Sequence, residues 1–214
     1  MFSTIARITA LLAIAIAVIG YRMGQVGIKL IPIELPLAGE DVTAAAQMQA
    51  DKIRSSISLD WFFIAAYGSM FLGYALLHWL QQQKGATALA ITTALLAIGT
   101  VAFDVLENRA ILAMVDKSEV SRRLFAVSAM KWLLFFLVVA WCGPLFVRTS
   151  RWWVAAIGIA FIAAGLAGTL VSASLAFRPI SRNLIEPAMK LSLLPLFAAM
   201  LVLLIRPSVL LADS

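Results

Sequence analysis

Few residues of this 214-residue chain can do chemistry, and several of them stand where polar groups are costly. Asp104, Glu107 and Asn108 occupy positions i, i+3 and i+4 at the end of the apolar run 86–101, so they project from one helical face. Lys131 sits deep in a second apolar run, too far from either end to snorkel to water. Asp60, Tyr67, Tyr74 and His78, spaced by seven, seven and four, form one stripe on a third. Glu186 and Lys190 stand four apart near the start of a fourth, where they can also satisfy each other. Ionisable groups inside a membrane default to ligand sites, ion paths or proton relays. The candidate ligand-binding or proton-relay set is therefore Asp60, Tyr67, Asp104, Glu107, Asn108, Lys131, Glu186 and Lys190, with no catalytic role assigned. In such a set Lys131 can neutralise an anionic group, Asp104 and Glu107 can orient it, and Asn108 and Tyr67 can donate hydrogen bonds. The same groups also suit acid–base chemistry, with a carboxylate as base and a second carboxyl or Tyr67 as acid. A purely structural reading makes Asp104 and Lys131 a buried pair that fixes helix register.

The elements that must hold these residues follow from composition. The chain is 63% hydrophobic and 13% charged, with mean hydropathy +0.97. That is about half the charge of an ordinary soluble domain. It predicts an all-α polytopic transmembrane bundle of about six spans, near residues 3–21, 59–80, 86–114, 121–146, 152–177 and 185–205. These form a single integral membrane domain over residues 1–214. The first run is also short enough to read as a cleaved signal peptide. Between the first two spans lies the polar stretch 22–58. Its Ile31-Pro32-Ile33-Glu34-Leu35-Pro36 segment is expected to be extended, because each proline turns its predecessor away from helix. A helix over 44–57 should then lie on the membrane surface or cap the bundle, as a linker or as a lid. Two stripes of small residues read as close-packing seams: Ala65, Ser69 and Gly73, and Ala160, Ala164, Gly168 and Ser172.

Short turns make neighbouring spans antiparallel, which permits a depth argument. With a turn centred near Lys117, Asp104 and Lys131 both lie roughly 20 Å of helix from it at 1.5 Å per residue. Folding the other spans in the same way brings Asp60 level with Glu107 and Asn108, and Lys190 near Asp104 with Glu186 slightly shallower. The candidate set should converge in one half of the membrane. Tyr74 and His78 lie further along their stripe, His78 at the interface.

The stretches Asp60-Trp61-Phe62-Phe63-Ile64-Ala65-Ala66-Tyr67, Asp104-Val105-Leu106-Glu107-Asn108 and Lys131-Trp132 resemble a pattern of an uncharacterised family of small bacterial polytopic membrane proteins. The pattern is an Asp-x-x-Phe-Ile-x-x-Tyr stretch, an Asp-x-x-Glu-Asn stretch and a later lysine before an aromatic. The resemblance implies a bacterial membrane protein and brings no activity with it.

Six spans place both termini on one side with Arg7, Lys84, Arg148, Arg151 and Arg206, which favours cytoplasmic termini in a bacterial cytoplasmic membrane. The expected function is binding the polar head of an amphipathic or small polar ligand, with proton-coupled transport as its mobile form. The alternatives are an intramembrane acid–base enzyme on a lipid-like substrate and an accessory subunit without chemistry of its own. Expected partners are membrane lipids, that ligand, and other copies of the chain through the small-residue seams. No basic stripe interleaved with aromatics points to nucleic acid. One His and one Cys, far apart, give no metal set and no cofactor is implied.

Overall fold

The computed structural model describes residues 1–28, 30–36, 42–117, 123–175 and 179–211. Its helices are α1 (Phe2–Val26), α2 (Ile31–Glu34), α3 (Val42–Met48), α4 (Ala50–Leu80), α5 (Ala86–Lys117), α6 (Leu124–Cys142), α7 (Pro144–Val147), α8 (Trp152–Ser174) and α9 (Ile185–Ile205). Two 3-10 segments, Pro179–Leu184 and Pro207–Leu210, flank α9, and no strand occurs among the described residues. Six of the helical stretches, α1, α4, α5, α6 with α7, α8 and α9, are long and apolar enough to cross a membrane. The chain is an integral membrane protein with an all-α bundle.

The spans pack in chain order, α1 on α4, α4 on α5, α5 on α6, α6 on α8 and α8 on α9. Then α9 returns to α1 and closes a ring. Within the ring α4 is the most enclosed span, with 61% of its apolar window buried against 28–44% for the others. That explains why α4 can carry Asp60, Tyr67, Tyr74 and His78 without showing any of them to lipid.

Close approach depends on glycine at a few contacts. Gly143, between α6 and α7, meets Gly158 of α8 so tightly that a Cβ on Gly158 would lie 2.6 Å from the Gly143 carbonyl oxygen and 2.7 Å from the Val147 nitrogen. Both obstacles are backbone, so Gly158→Ala must push two helices apart. Its expected cost is about 1–3 kcal/mol. Gly24→Ala, whose Cβ would meet nothing within 4 Å, should melt like the parent. Thermal unfolding of the two variants in detergent checks this, and equal melting would refute the close α7–α8 contact.

The α8 stripe packs much as its spacing predicts: Ala164, Gly168 and Ser172 are buried, joined by Gly158 and Gly165, while Ala160 is exposed. The α4 stripe does not. Ala65 and Ser69 are exposed, and only Gly73 is buried, where it abuts Thr9 of α1. The face that packs inward is the polar one. Its aromatic and hydrogen-bonding side chains fill the centre, and a period of four residues read alone does not say which face that is.

Two further differences lie in the stretch between α1 and α4. The 44–57 helix is broken at Gln49, and its second half is the first part of a 31-residue α4 rather than a surface element. The Ile31–Pro36 segment is not wholly extended: Ile31–Glu34 forms one helical turn, with the Glu34 and Leu35 amides bonded to the Leu30 and Ile31 carbonyls at 2.9 Å. Pro32 is tolerated because the first turn needs no amide donor there. The rule still holds at Leu35, which precedes Pro36 and leaves the helix at φ −123°, ψ 68°.

Candidate functional site

The site is built where four helices bring their polar positions together. From α5, the i, i+3, i+4 face delivers Asp104, Glu107 and Asn108 inward, all at most 6% exposed. From α4 come Asp60 and Tyr67, seven residues apart and so on the same face. Tyr67 donates its hydroxyl to Asp104 Oδ2 at 2.7 Å, and Asn108 donates its amide to Asp60 Oδ2 at 2.6 Å. The α4–α5 contact is thus closed by two hydrogen bonds in which a neutral donor answers a carboxyl group.

Lys131 of α6 is the cationic centre. Its Nζ is hydrogen-bonded to Glu107 Oε2 and lies 3.2 Å from Glu34 Oε2 and 3.5 Å from Asp104 Oδ1. It also stands 4.6 Å from the centroid of the neighbouring Trp132 ring. Three acidic partners and an aromatic ring hold a buried ammonium. This arrangement offsets the several kcal/mol that burying such a charge would otherwise cost. The other Glu107 oxygen, Oε1, is buried with no hydrogen-bond partner among the described residues.

Glu34 is the residue that sequence reasoning missed. It lies in the polar stretch between the first two spans, yet it is 6% exposed and accepts hydrogen bonds from both Lys131 and the Trp132 indole, each at 3.2 Å. A signal was present: Glu34 is the one acid in a segment otherwise made of Ile, Leu and Pro, a composition suited to burial. The α2 turn sets it over the cluster, and Leu35, fully buried, anchors the turn beside Trp132, Phe136 and Ile185. Arg182 steadies the same turn by donating to the Leu35 carbonyl at 3.1 Å. The capping element over the cluster is therefore α2, not a helix over 44–57.

Of the eight candidates, Asp60, Tyr67, Asp104, Glu107, Asn108 and Lys131 converge. Glu186 and Lys190 do not share their burial. Lys190 Nζ lies 2.7 Å from Glu186 Oε1, and their side chains are 67% and 44% exposed respectively. The α4 stripe also divides. Tyr74 is packed by Phe146 and Phe161, each with ring centroids 6.1 Å away. His78, near the end of α4, is fully buried, with Nε2 3.2 Å from the Trp141 carbonyl. Beyond it Gln81 donates to the Leu145 and Leu210 carbonyls at 3.0 Å, so this end of the ring is tied shut.

Inside the ring, a cavity of about 480 Å³ adjoins the cluster. Glu34, Asp60, Asp104 and Lys131 form its polar wall. Phe63, Phe71, Phe135 and Phe161 line much of the remainder, and Met70 and Phe71 mark its depth along α4. Tyr21 and Gly24 of α1 and Lys190 and Phe197 of α9 also border it. Tyr21, Lys190 and Phe197 are exposed on the outside of the bundle as well, so the cavity reaches the surface between α1 and α9. Compared with known protein families, curated proteins and solved structures, the chain matches none.

Proposed function

We propose that the protein binds an amphipathic molecule, its polar head against the Glu34–Asp60–Asp104–Lys131 wall and its apolar body in the cavity. One observation carries this reading: one cavity of about 480 Å³ combines a largely aromatic and apolar lining with the cluster of Glu34, Asp60, Asp104 and Lys131. That volume is in the range of small-molecule sites, and such sites pair apolar linings with a few convergent polar groups. The opening between α1 and α9 gives access from the hydrocarbon, where an amphiphile already resides. Placed in a bacterial cytoplasmic membrane with cytoplasmic termini, as the resemblance and the basic turns favour, the cluster lies in the periplasmic half. Transport is the extension of this reading. It requires the Tyr74–Phe146–Phe161 packing to part, because the cavity reaches Phe161 but neither Tyr74 nor Phe146.

Native mass spectrometry of protein extracted from its membrane tests the binding. The parent is expected to carry an amphiphile adduct, and Gly24→Leu to lose it while keeping its melting temperature. Gly24 borders the opening and its Cβ would project into open space, so a leucine there fills the entrance without displacing a helix. If the parent carries only bulk phospholipid in the same proportion as Gly24→Leu, the reading fails.

A further inference from the structure

The charge of the ligand's head can be read from how the cluster is divided. Glu107 and Lys131 are hydrogen-bonded to each other, and of the two only Lys131 borders the cavity. That pair is neutral by itself. Glu34, Asp60 and Asp104 remain on the cavity wall, and the one cation in ion-pair contact with the cluster, among the described residues, is the lysine already matched by Glu107. Tyr67 and Asn108 supply hydrogen bonds to Asp104 and Asp60 but no charge. Among the described residues, widening the count to Arg182 and to the Lys190–Glu186 pair still leaves five carboxyl groups against three cations. An anionic head would thus enter beside unmatched acids and find the lysine engaged. A cation would balance them.

The rest of the lining favours the same sign. Phe63, Tyr67, Phe71, Trp132 and Phe135 all border the cavity, and Tyr67 and Phe135 stand edge to face at 6.3 Å. Aromatic faces attract cations through their quadrupole, most strongly where water is excluded, and aromatic cages are a recurrent receptor for quaternary ammonium. The lysine ammonium over Trp132 shows this contact already made once in the same wall.

From this juxtaposition of carboxyl groups and aromatic faces around one cavity we infer that the head is an organic cation, an alkylated ammonium. This rests on the amphiphile-binding reading and narrows it. Both a free hydrophobic amine and the choline-type head of a lipid carry that chemistry.

The test is calorimetric titration of the full chain in nanodiscs, with empty discs as the baseline. Four probes share one alkyl chain: octyltrimethylammonium, octylphosphocholine, octyl glucoside and octyl sulfate. The expected result is that octyltrimethylammonium binds at least about tenfold more tightly than the glucoside and the sulfate, a difference of about 1.4 kcal/mol. Equal binding by octylphosphocholine supports the cation and identifies a lipid head as its source, and weaker binding identifies a free cation. Asp60→Asn should weaken the ammonium probe about tenfold, and Asp51→Asn on the exposed start of α4 should leave it unchanged. Comparing the probes on the parent decides the matter even if Asp60→Asn does not fold. Glucoside or sulfate binding as tightly as the ammonium overturns the cation while leaving the amphiphile reading standing. Binding of none of the four to the parent overturns both.

Discussion

Lys131→Met is expected to lower the melting temperature of the purified protein more than any other single change in the cluster. Methionine matches the length and apolar stem of lysine, so little packing is lost. What is lost is the only ammonium in contact with Glu34, Asp104 and Glu107 among the described residues. Removing one partner of a buried ion pair costs about 3–5 kcal/mol, because the remaining charge is left without an answer. For a chain of this length that corresponds to a fall on the order of 10 °C. The second half of the argument is a rescue. Lys131→Met combined with Glu107→Gln removes both members of the tightest pair and should regain a good part of the loss. The single and double variants would be compared by thermal unfolding in one detergent. An unchanged melting temperature for Lys131→Met would mean that the lysine is not answering buried negative charge, and the description of the site would have to be withdrawn.

The second large effect concerns the cap. Glu34→Ala deletes the hydrogen bonds from Lys131 and the Trp132 indole that pull the α2 turn onto the cluster. Hydrogen bonds to charged groups contribute roughly 1.5–3 kcal/mol each. The local opening of a one-turn helix is governed by few contacts besides these. Amide exchange at Ile33, Glu34 and Leu35, whose donors are held by Leu30 and Ile31, should therefore quicken by roughly tenfold to a hundredfold. Peptides from α5 should change far less, since Tyr67 and Asn108 keep their bonds to Asp104 and Asp60. Unchanged exchange over residues 33–35 would show that Leu35 and Arg182 alone hold the cap. It would then have no link to the charge of the site.

The sequence alone determined the membrane class, the spans and most of the convergence. Apolar runs of span length can satisfy their backbone only as helices, and short turns make the neighbours antiparallel. Depth then follows from a fixed rise per residue. That is why the sequence sets Asp104 and Lys131 level, and why it matches Asp60 with Asn108, to which it is bonded at 2.6 Å. Tertiary structure decided what rise and period leave open. Which face of α4 turns inward depends on the ring that the neighbours form, and it reversed the reading of Ala65 and Ser69. Burial of His78 depends on the carbonyl of Trp141, which is 63 residues away in the chain. Glu34 has no depth in the sequence, because a stretch outside the spans has no axis along which to count. Only the packing of Leu35 and the pull of Lys131 bring it down onto the site.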